Sequence, residues 1–383
     1  MKKFTVFLLF VSLTLALFGC AEAEIAQTTI PTESTEIPTT AETTPVVTEP
    51  INLSGPMTAV SLPAVTETAT AEDGTTLFQY TYQNMSLTLS AQATADQVIL
   101  DFLSRIDATR ATAESSLSSA NAGYTGSANW IPYLCQVTYN PQRIDRGVLS
   151  LYGTMITYTG ASHPDTSCVS ANYDLLTGDV LTLGSILTDE SVIDPLCQLV
   201  IDHLNEIAEE KYLRSGFEED VKARFSGEAS YDEAWYFSQT GLCFYFAPYE
   251  IAPYSSGVIV AEVPYGELVD IIMDEFFPAE QQPLSGTLSA MPFTTDDAAQ
   301  FTQISELILD QDGNMSIIYC DSSVHHVSVL VSDPATELSY VAYAAEYLNP
   351  GDAITIAYND AQSYNIQIEY ISNGEICVLD LAQ

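Results

Sequence analysis

Basic residues are almost missing from this chain. Its 383 residues include 10 Lys plus Arg against 51 Asp plus Glu, which gives a formal net charge of −41. Residues 4–104 contain no Lys or Arg, and none follows Arg224. So negative a field repels the phosphate backbone and excludes nucleic acid as a partner, whereas it attracts cations and basic proteins. A second interpretation, in which the acidic residues only keep the protein soluble, stays open.

Motifs of the common enzyme and cofactor classes are also absent. The sequence has no P-loop, no G-x-G-x-x-G, no G-x-S-x-G nucleophile elbow and no H-E-x-x-H zinc motif. Besides Cys20, the cysteines lack metal-ligand spacing, and they permit either disulfides or buried thiols: Cys135, Cys168, Cys197, Cys243, Cys320 and Cys377. We therefore predict no catalytic residue, no cofactor and no bound metal.

Two short patterns resemble metal sites only weakly. His325 and His326 are adjacent in a predicted strand, so their side chains should point to opposite faces and a single ion could not bind both. Residues 310–314 (Asp-Gln-Asp-Gly-Asn) have some character of a calcium loop, but the glycine is misplaced and the bidentate glutamate is missing. A hairpin turn is the preferred interpretation, and a weak calcium site is the alternative.

The N-terminus carries the longest apolar run. Lys2 and Lys3 precede apolar residues 4–18, and Gly19 and Cys20 follow. A run of about 15 residues is shorter than the roughly 20 of a membrane-spanning helix and is typical of a bacterial lipoprotein signal peptide. We expect residues 1–20 to be that signal and Cys20 to carry the lipid, which would hold the protein on the extracellular face of the cytoplasmic membrane. An ordinary secretory signal with an incidental cysteine is the alternative.

The sequence after the signal falls into three kinds of segment, which differ in composition and in strand or helix patterns. Residues 21–74 consist largely of Thr, Pro, Glu and Ala with almost no aromatic residues, so we predict a disordered tether. Residues 75–165 and 166–278 alternate strand patterns with amphipathic helices, predicted at 95–117, 191–214 and 265–276. Short strands separated by turns fill residues 284–383, which predicts a small β-rich module. The fold class predicted from this order is α+β, an antiparallel sheet with packed helices.

Three strings carry a resemblance to a known family. They are Thr-Gly-Ala-Ser-His-Pro at 159–164, Tyr-Asp-Leu-Leu-Thr-Gly at 173–178, and Gly-Leu-Cys-Phe-Tyr-Phe-Ala-Pro-Tyr-Glu-Ile-Ala-Pro-Tyr at 241–254. In these strings the chain resembles the extracellular RsiV/PdaC-like domain, a domain of unknown function. That domain occurs in RsiV-type anti-sigma factors, which sense lysozyme, and beside the catalytic domain of PdaC-type peptidoglycan deacetylases. The resemblance covers roughly residues 78–277. Because the flanking residues match neither context, it implies the domain and neither complete machine.

Four residues in the matching strings are candidate ligand contacts. His163 lies in a loop with Ser162 and Asp165, but side chains of sequence neighbours diverge, so an imidazole bracing the loop is preferred to a catalytic triad. Tyr249, Glu250 and Tyr254 place a carboxylate between aromatic rings, as a sugar site would. Glycoside hydrolysis requires a second carboxylate at a defined separation, and the sequence identifies none.

These observations favour a non-catalytic, lipid-anchored binding protein of the bacterial cell envelope. The resemblance and the charge together imply a cationic secreted protein such as lysozyme as the partner, or a cell-wall ligand. Two alternatives come from other classes: a carbohydrate-active envelope hydrolase centred on residues 249–254, and a scaffold that docks another envelope protein through residues 284–383.

Overall fold

A computed structural model describes most of the chain from residue 58 onward. The described ranges are 58–145, 147–226, 234–278, 291–294, 302–304, 307–312, 315–320, 323–333, 338–350, 352–357, 365–372 and 375–381. The predicted signal peptide, Cys20 and residues 21–57 of the predicted tether lie outside the described residues. None of the helices within these ranges has the length and apolar content that a membrane crossing requires.

The first part of the structure is a five-stranded sheet covered by one long helix. Its strands run in the order β2-β3-β5-β6-β7, and β3 and β5 are its parallel pair. The elements up to this point are β1 (Ala59–Ser61), β2 (Ala64–Thr70), β3 (Thr76–Gln83), β4 (Ser86–Thr88), α1 (Gln92–Gly123), β5 (Tyr133–Ile144), β6 (Val148–Tyr158) and β7 (Asp165–Asp174). Helix α1 provides the crossover that a parallel pair needs, and it buries Val98, Phe102 and Ile106. The helix predicted at 95–117 is confirmed and extends further at both ends.

Two strands lie inside the predicted tether, so that prediction is wrong for its last part. Val60 and Leu62 are fully buried, and β1 pairs with β4, while β2 pairs with β3. Gln83 fixes this segment: its amide nitrogen donates to the backbone oxygen of Leu62 (3.0 Å), and its amide oxygen accepts from the backbone N–H of Tyr139 (2.6 Å). The low aromatic content of residues 21–74 obscured the few apolar residues that the sheets bury.

The second part packs helices against a three-stranded sheet of order β10-β9-β8. Its elements are α2 (Leu183–Ile186), α3 (Ile193–Ile207), α4 (Phe217–Ser226), β8 (Trp235–Phe237), β9 (Gly241–Phe246) and β10 (Ile259–Pro264). The stripe predicted for α3 is confirmed at Leu196, Val200 and Leu204, which are fully buried in this core. The predicted helix 191–214 is too long, because Tyr212 takes a left-handed φ of 54° that an α-helix cannot contain. Helix α4 was not predicted.

The helix predicted at 265–276 is also wrong. The segment forms two short 3-10 turns, Tyr265–Glu267 and Asp274–Phe276, and Asp270 between them has a φ of 68°. Backbone groups that a helix would use internally bond elsewhere, since the Ile271 oxygen accepts from Thr188 N and the Met273 N–H donates to the Ile186 oxygen. The predicted inward positions are nevertheless right: Leu268, Ile271 and Ile272 are buried.

The C-terminal strands form two further sheets. Their bounds are β11 (Met291–Thr294), β12 (Thr302–Ile304), β13 (Leu307–Asp312), β14 (Met315–Cys320), β15 (Val324–Asp333), β16 (Leu338–Leu348), β17 (Ala353–Ala357), β18 (Asn365–Ser372) and β19 (Glu375–Leu381). One sheet has the order β12-β13-β14-β17 and the other β11-β19-β18-β15-β16-β1-β4. The N-terminal strand β1 therefore lies between β4 and the C-terminal strand β16. The α+β fold class is confirmed, and the β-rich residues share a sheet with the start of the described chain.

Strand β13 contains residues 310–312 of the predicted turn, and β15 contains both adjacent histidines. β13 and β14 are antiparallel neighbours, in agreement with the hairpin predicted at residues 310–314, although 313–314 lie outside the described residues. His325 contacts the ring of Tyr347 at 4.7 Å, whereas His326, with a φ of 48°, lies 3.2 Å from the side-chain amide nitrogen of Gln239. Within the described ranges, no group of three or more His, Cys, Asp or Glu side chains could hold a metal ion.

Candidate functional site

His163 lies in the loop that joins β6 to β7. Gly160, near the start of this loop, has a φ of 85°, and a Cβ there would come within 2.6 Å of the Tyr133 hydroxyl, so any larger residue would be strained. The Nδ1 of His163 donates to the backbone oxygen of Pro164 (3.1 Å). This contact agrees with the loop-bracing role predicted for the imidazole.

Tyr249 and Tyr254 lie in the loop that follows β9. The loop begins with a tight turn in which the Glu250 N–H donates to the Ala247 oxygen (3.0 Å) and the Ala247 N–H donates to Glu250 Oε2 (2.9 Å). Tyr249, at the tip of this turn, has a φ of 73°, and 61% of it is exposed. An exposed tyrosine in the left-handed region is strained, and such strain persists only where the surrounding contacts enforce it.

The two loops meet through their rings. The centroid of the His163 ring is 4.3 Å from that of Tyr254, and the Tyr254 ring is 5.5 Å from that of Tyr249, with interplanar angles of 30° and 32°. The Tyr254 hydroxyl donates to the Pro164 oxygen (3.1 Å), which also accepts from His163. We call His163, Tyr254 and Tyr249 the ring ladder. The fold thus brings together three of the four predicted contacts, from two distant loops.

Glu250, the fourth candidate, is held by contacts inside the protein. Its Oε1 lies 3.0 Å from Nη1 of Arg224, and its Oε2 accepts from Ala247. Arg224 also donates to the backbone oxygen of Tyr245 (2.7 Å), and its guanidinium lies 4.9 Å from the ring of Phe246. Because both carboxylate oxygens have partners, Glu250 braces the turn that carries Tyr249.

Sequence reasoning missed Arg224 as part of this site. It lies on α4, for which no helix was predicted, and its side chain is only 16% exposed. A signal was present, because Arg224 is one of only 10 Lys or Arg residues in a chain with 51 acidic ones. So scarce a cation is expected to pair with a carboxylate, and here the carboxylate is Glu250.

Next to these loops lies a group of tyrosines and thiols, of which Tyr236 and Cys243 are buried and Tyr152 and Cys168 are half-buried. Tyr152 stacks on Tyr236 at 4.6 Å, and its hydroxyl is 3.5 Å from the Cys168 sulfur. Burial raises the pKa of the Cys168 thiol and raises the pKa of Cys243 to about 12. Burial therefore disfavours the thiolate, which is the reactive form, at both cysteines.

The family match includes Tyr249, Glu250 and Tyr254 but does not reach the His163 loop. Residues 185–266 match the family model described as "Protein of unknown function (DUF3298)". One similar solved structure is a DUF3298 family member from Bacteroides fragilis NCTC 9343, with 16% identity over 57% of this chain and 95% of that one, at a TM-score of 0.43. Another is a DUF3298 family protein from Pseudomonas aeruginosa PAO1, with 16% identity over 57% and 96% of the two chains, at a TM-score of 0.41. No curated protein matches the sequence.

Proposed function

Residues 185–266 match a family model without an assigned function, and we propose a role from the geometry of the two loops that carry the ring ladder. The protein is a non-catalytic binding protein of the bacterial cell envelope. A lipid on Cys20 holds it on the extracellular face of the cytoplasmic membrane, and the ring ladder contacts a cationic secreted protein such as lysozyme. The observation that carries this proposal is the exposed, strained Tyr249 at the end of the ladder.

The ladder suits a basic side chain. A Lys ammonium or Arg guanidinium binds the face of an aromatic ring, and the interaction strengthens as the cation loses water. Tyr254 lies between His163 and Tyr249, which leaves Tyr249 as the exposed end of the ladder. The formal net charge of −41 supports the same partner class, because opposite fields raise the rate of encounter.

The surroundings of the ladder favour binding over turnover. Glu250 has both carboxylate oxygens engaged by Arg224 and Ala247, and His163 bonds to a backbone oxygen. A general acid or base needs a free proton-transfer position within reach of the substrate. These contacts therefore give the hydrolase alternative no support.

The test is a titration of the full chain, secreted with Cys20→Ser, against a cationic lysozyme by calorimetry. We expect binding at low ionic strength that weakens at physiological ionic strength, since the charge is screened. Tyr249→Ala should lower the affinity about tenfold, the effect of losing roughly 1.4 kcal/mol of ring contact. Absence of binding at both ionic strengths would remove lysozyme as the partner.

Tyr212 provides a matched control. It is 73% exposed and also has a left-handed φ, of 54°, but it lies outside the ring ladder. Tyr212→Ala should therefore leave the affinity unchanged. Equal losses in the two variants would contradict a specific role for the ladder.

A wall ligand is the second candidate, because the face of a tyrosine ring also packs on the apolar face of a sugar. The same two variants decide it in a sedimentation assay with purified peptidoglycan. Retention of the chain on peptidoglycan, lost in Tyr249→Ala and kept in Tyr212→Ala, together with no binding of lysozyme, would replace the protein partner with the wall.

A further inference from the structure

A cleft away from the ring ladder lies between helix α1 and strands β2 and β3. Its volume is about 140 Å³. Three buried residues, Phe78, Tyr80 and Ala113, are among those that line it, and each is at most 4% exposed. Glu67, Arg110 and Glu114 contribute the charged part of the lining. None of these residues belongs to the ring ladder or its supporting loops.

The volume and the lining suit one small apolar group. An apolar cavity of about 150 Å³ holds a single benzene molecule. Phe78 and the methyl of Ala113 form part of the apolar lining. An aromatic ring or a short branched alkyl group has a size that matches this volume.

The charged residues of the lining favour a ligand of positive charge. Arg110 is already engaged: its Nη2 lies 3.3 Å from Glu67 Oε1 and its Nε 3.6 Å from Asp107 Oδ1. Glu114, by contrast, makes no ion pair with any other described residue, and it leaves one carboxylate at the cleft without a cation. An anionic ligand would meet two carboxylates and a guanidinium that is already paired, so a cation is favoured.

The protein's own Arg110 illustrates this recognition. Its guanidinium carbon lies 5.4 Å from the centroid of the Tyr80 ring and 5.7 Å from that of Tyr82, while its nitrogens bond to Glu67. Aromatic rings beside a carboxylate thus already hold one organic cation at this place. Glu114 and Phe78 line the same cleft beside this group.

We propose that this cleft binds a small organic cation with an apolar body, such as a protonated arylalkylamine. The ring enters the cleft against Phe78 and Ala113, and the ammonium group pairs with Glu114. This inference does not rest on the function proposed for the ring ladder, because the two sites share no residue.

The experiment follows the methyl signals of the full chain, carrying Cys20→Ser and labelled with ¹³C-methyl alanine, by NMR. Three probes of similar shape differ in charge: benzylammonium, benzyl alcohol and benzoate. We expect benzylammonium to shift the methyls of Ala113 and Ala69, which both line the cleft. Benzyl alcohol should bind about threefold more weakly, since it lacks the charge, and benzoate should leave both methyls unshifted.

Two charge-removing variants separate the cleft from the general acidity of the chain. Glu114→Gln should lower the benzylammonium affinity about threefold and leave benzyl alcohol unchanged. Glu209→Gln removes the same charge from an exposed position just after α3 and should change neither. The proposal is overturned if benzoate shifts the methyls as benzylammonium does, if both variants weaken binding equally, or if no probe shifts Ala113 at tens of millimolar.

Discussion

Replacing Arg143 with alanine tests how the first part of the structure is joined to the second. Arg143 is at the end of β5, and its Nε lies 2.5 Å from Asp145 Oδ2. Its Nη1 donates to the hydroxyl of Tyr265 (2.9 Å) and to the backbone oxygen of Phe276 (2.5 Å), both in the segment after β10. The guanidinium also lies 5.1 Å from the ring of Phe237. One side chain thus connects the five-stranded sheet to the second part of the structure, which contains α3 and α4.

The expected magnitude follows from burial. The side chains of Arg143 and Asp145 are 4% and 7% exposed. Removing one partner of a buried pair leaves the other charge desolvated and costs about 3–5 kcal/mol. The Arg105–Asp101 pair has a similar separation, 2.7 Å, but its side chains are 32% and 34% exposed. Solvent screening reduces such a pair to about 0–1 kcal/mol, so Arg105→Ala is the matched control.

The assay is urea unfolding of the full chain at pH 7, followed by circular dichroism and tyrosine fluorescence. Arg143→Ala should lower the free energy of unfolding by about 3–5 kcal/mol, a large share of the roughly 5–15 kcal/mol of a typical domain. The double variant Arg143→Met with Asp145→Asn should lose less than Arg143→Ala, since no buried charge remains. Equal losses for Arg143→Ala and Arg105→Ala would refute the reasoning.

Three further predictions concern the packing of the sheets. Gln83→Ala removes the side-chain partner of the Leu62 oxygen and of the Tyr139 N–H, and it should lower the free energy of unfolding in urea by about 2–4 kcal/mol. Half-exposed Gln79 lies on the same strand, and Gln79→Ala should change this free energy by no more than about 0.5 kcal/mol. Burial raises the pKa of Cys135 to about 11 and that of Cys243 to about 12. The thiols of the unfolded chain therefore lose their protons at a lower pH than the buried thiols of the folded protein. The contribution of the two thiols to the free energy of unfolding is complete below about pH 8.5 and falls as the pH rises to 11–12. A melting temperature that stays constant from pH 8 to 11 would contradict this. At Gly153 a Cβ would lie 1.7 Å from a backbone oxygen of β5, so Gly153→Ala should lose about 3 kcal/mol or more, measured by thermal unfolding.

Strand β1 also determines which fragments of the chain are useful for experiments. Its residues pair with β16 on one side and β4 on the other, and the Glu346 N–H donates to the Thr58 oxygen. A fragment that begins at Thr76 lacks both β1 and β2. It would expose an edge of β16 and remove the partner of β3, which favours aggregation. Fragments for binding studies should therefore begin before Thr58.

The ring ladder shows how far the sequence leads to a site. The motif around His163 and the motif ending at Tyr254 each identified a loop, because glycine, proline and aromatic residues have strong local preferences. The contact between the two loops depends on how β7 and β9 are positioned in different sheets, and local preferences carry no information about that distance. Arg224 was missed for the same reason, since it reaches Glu250 only through the packing of α4 against β9.

Local sequence patterns were enough to predict the α+β class, the buried stripes of α1 and α3, and the acidic character of the protein. Tertiary packing is needed to place β1 in the C-terminal sheet, to fold the segment 265–276 as turns, and to bring His163 to Tyr254. The physical reason is the range of the interactions. Helical and strand periodicity arises between residues a few positions apart, whereas strand insertion, the left-handed backbone at Asp270 and the ring contacts are stabilised by residues far away in the chain.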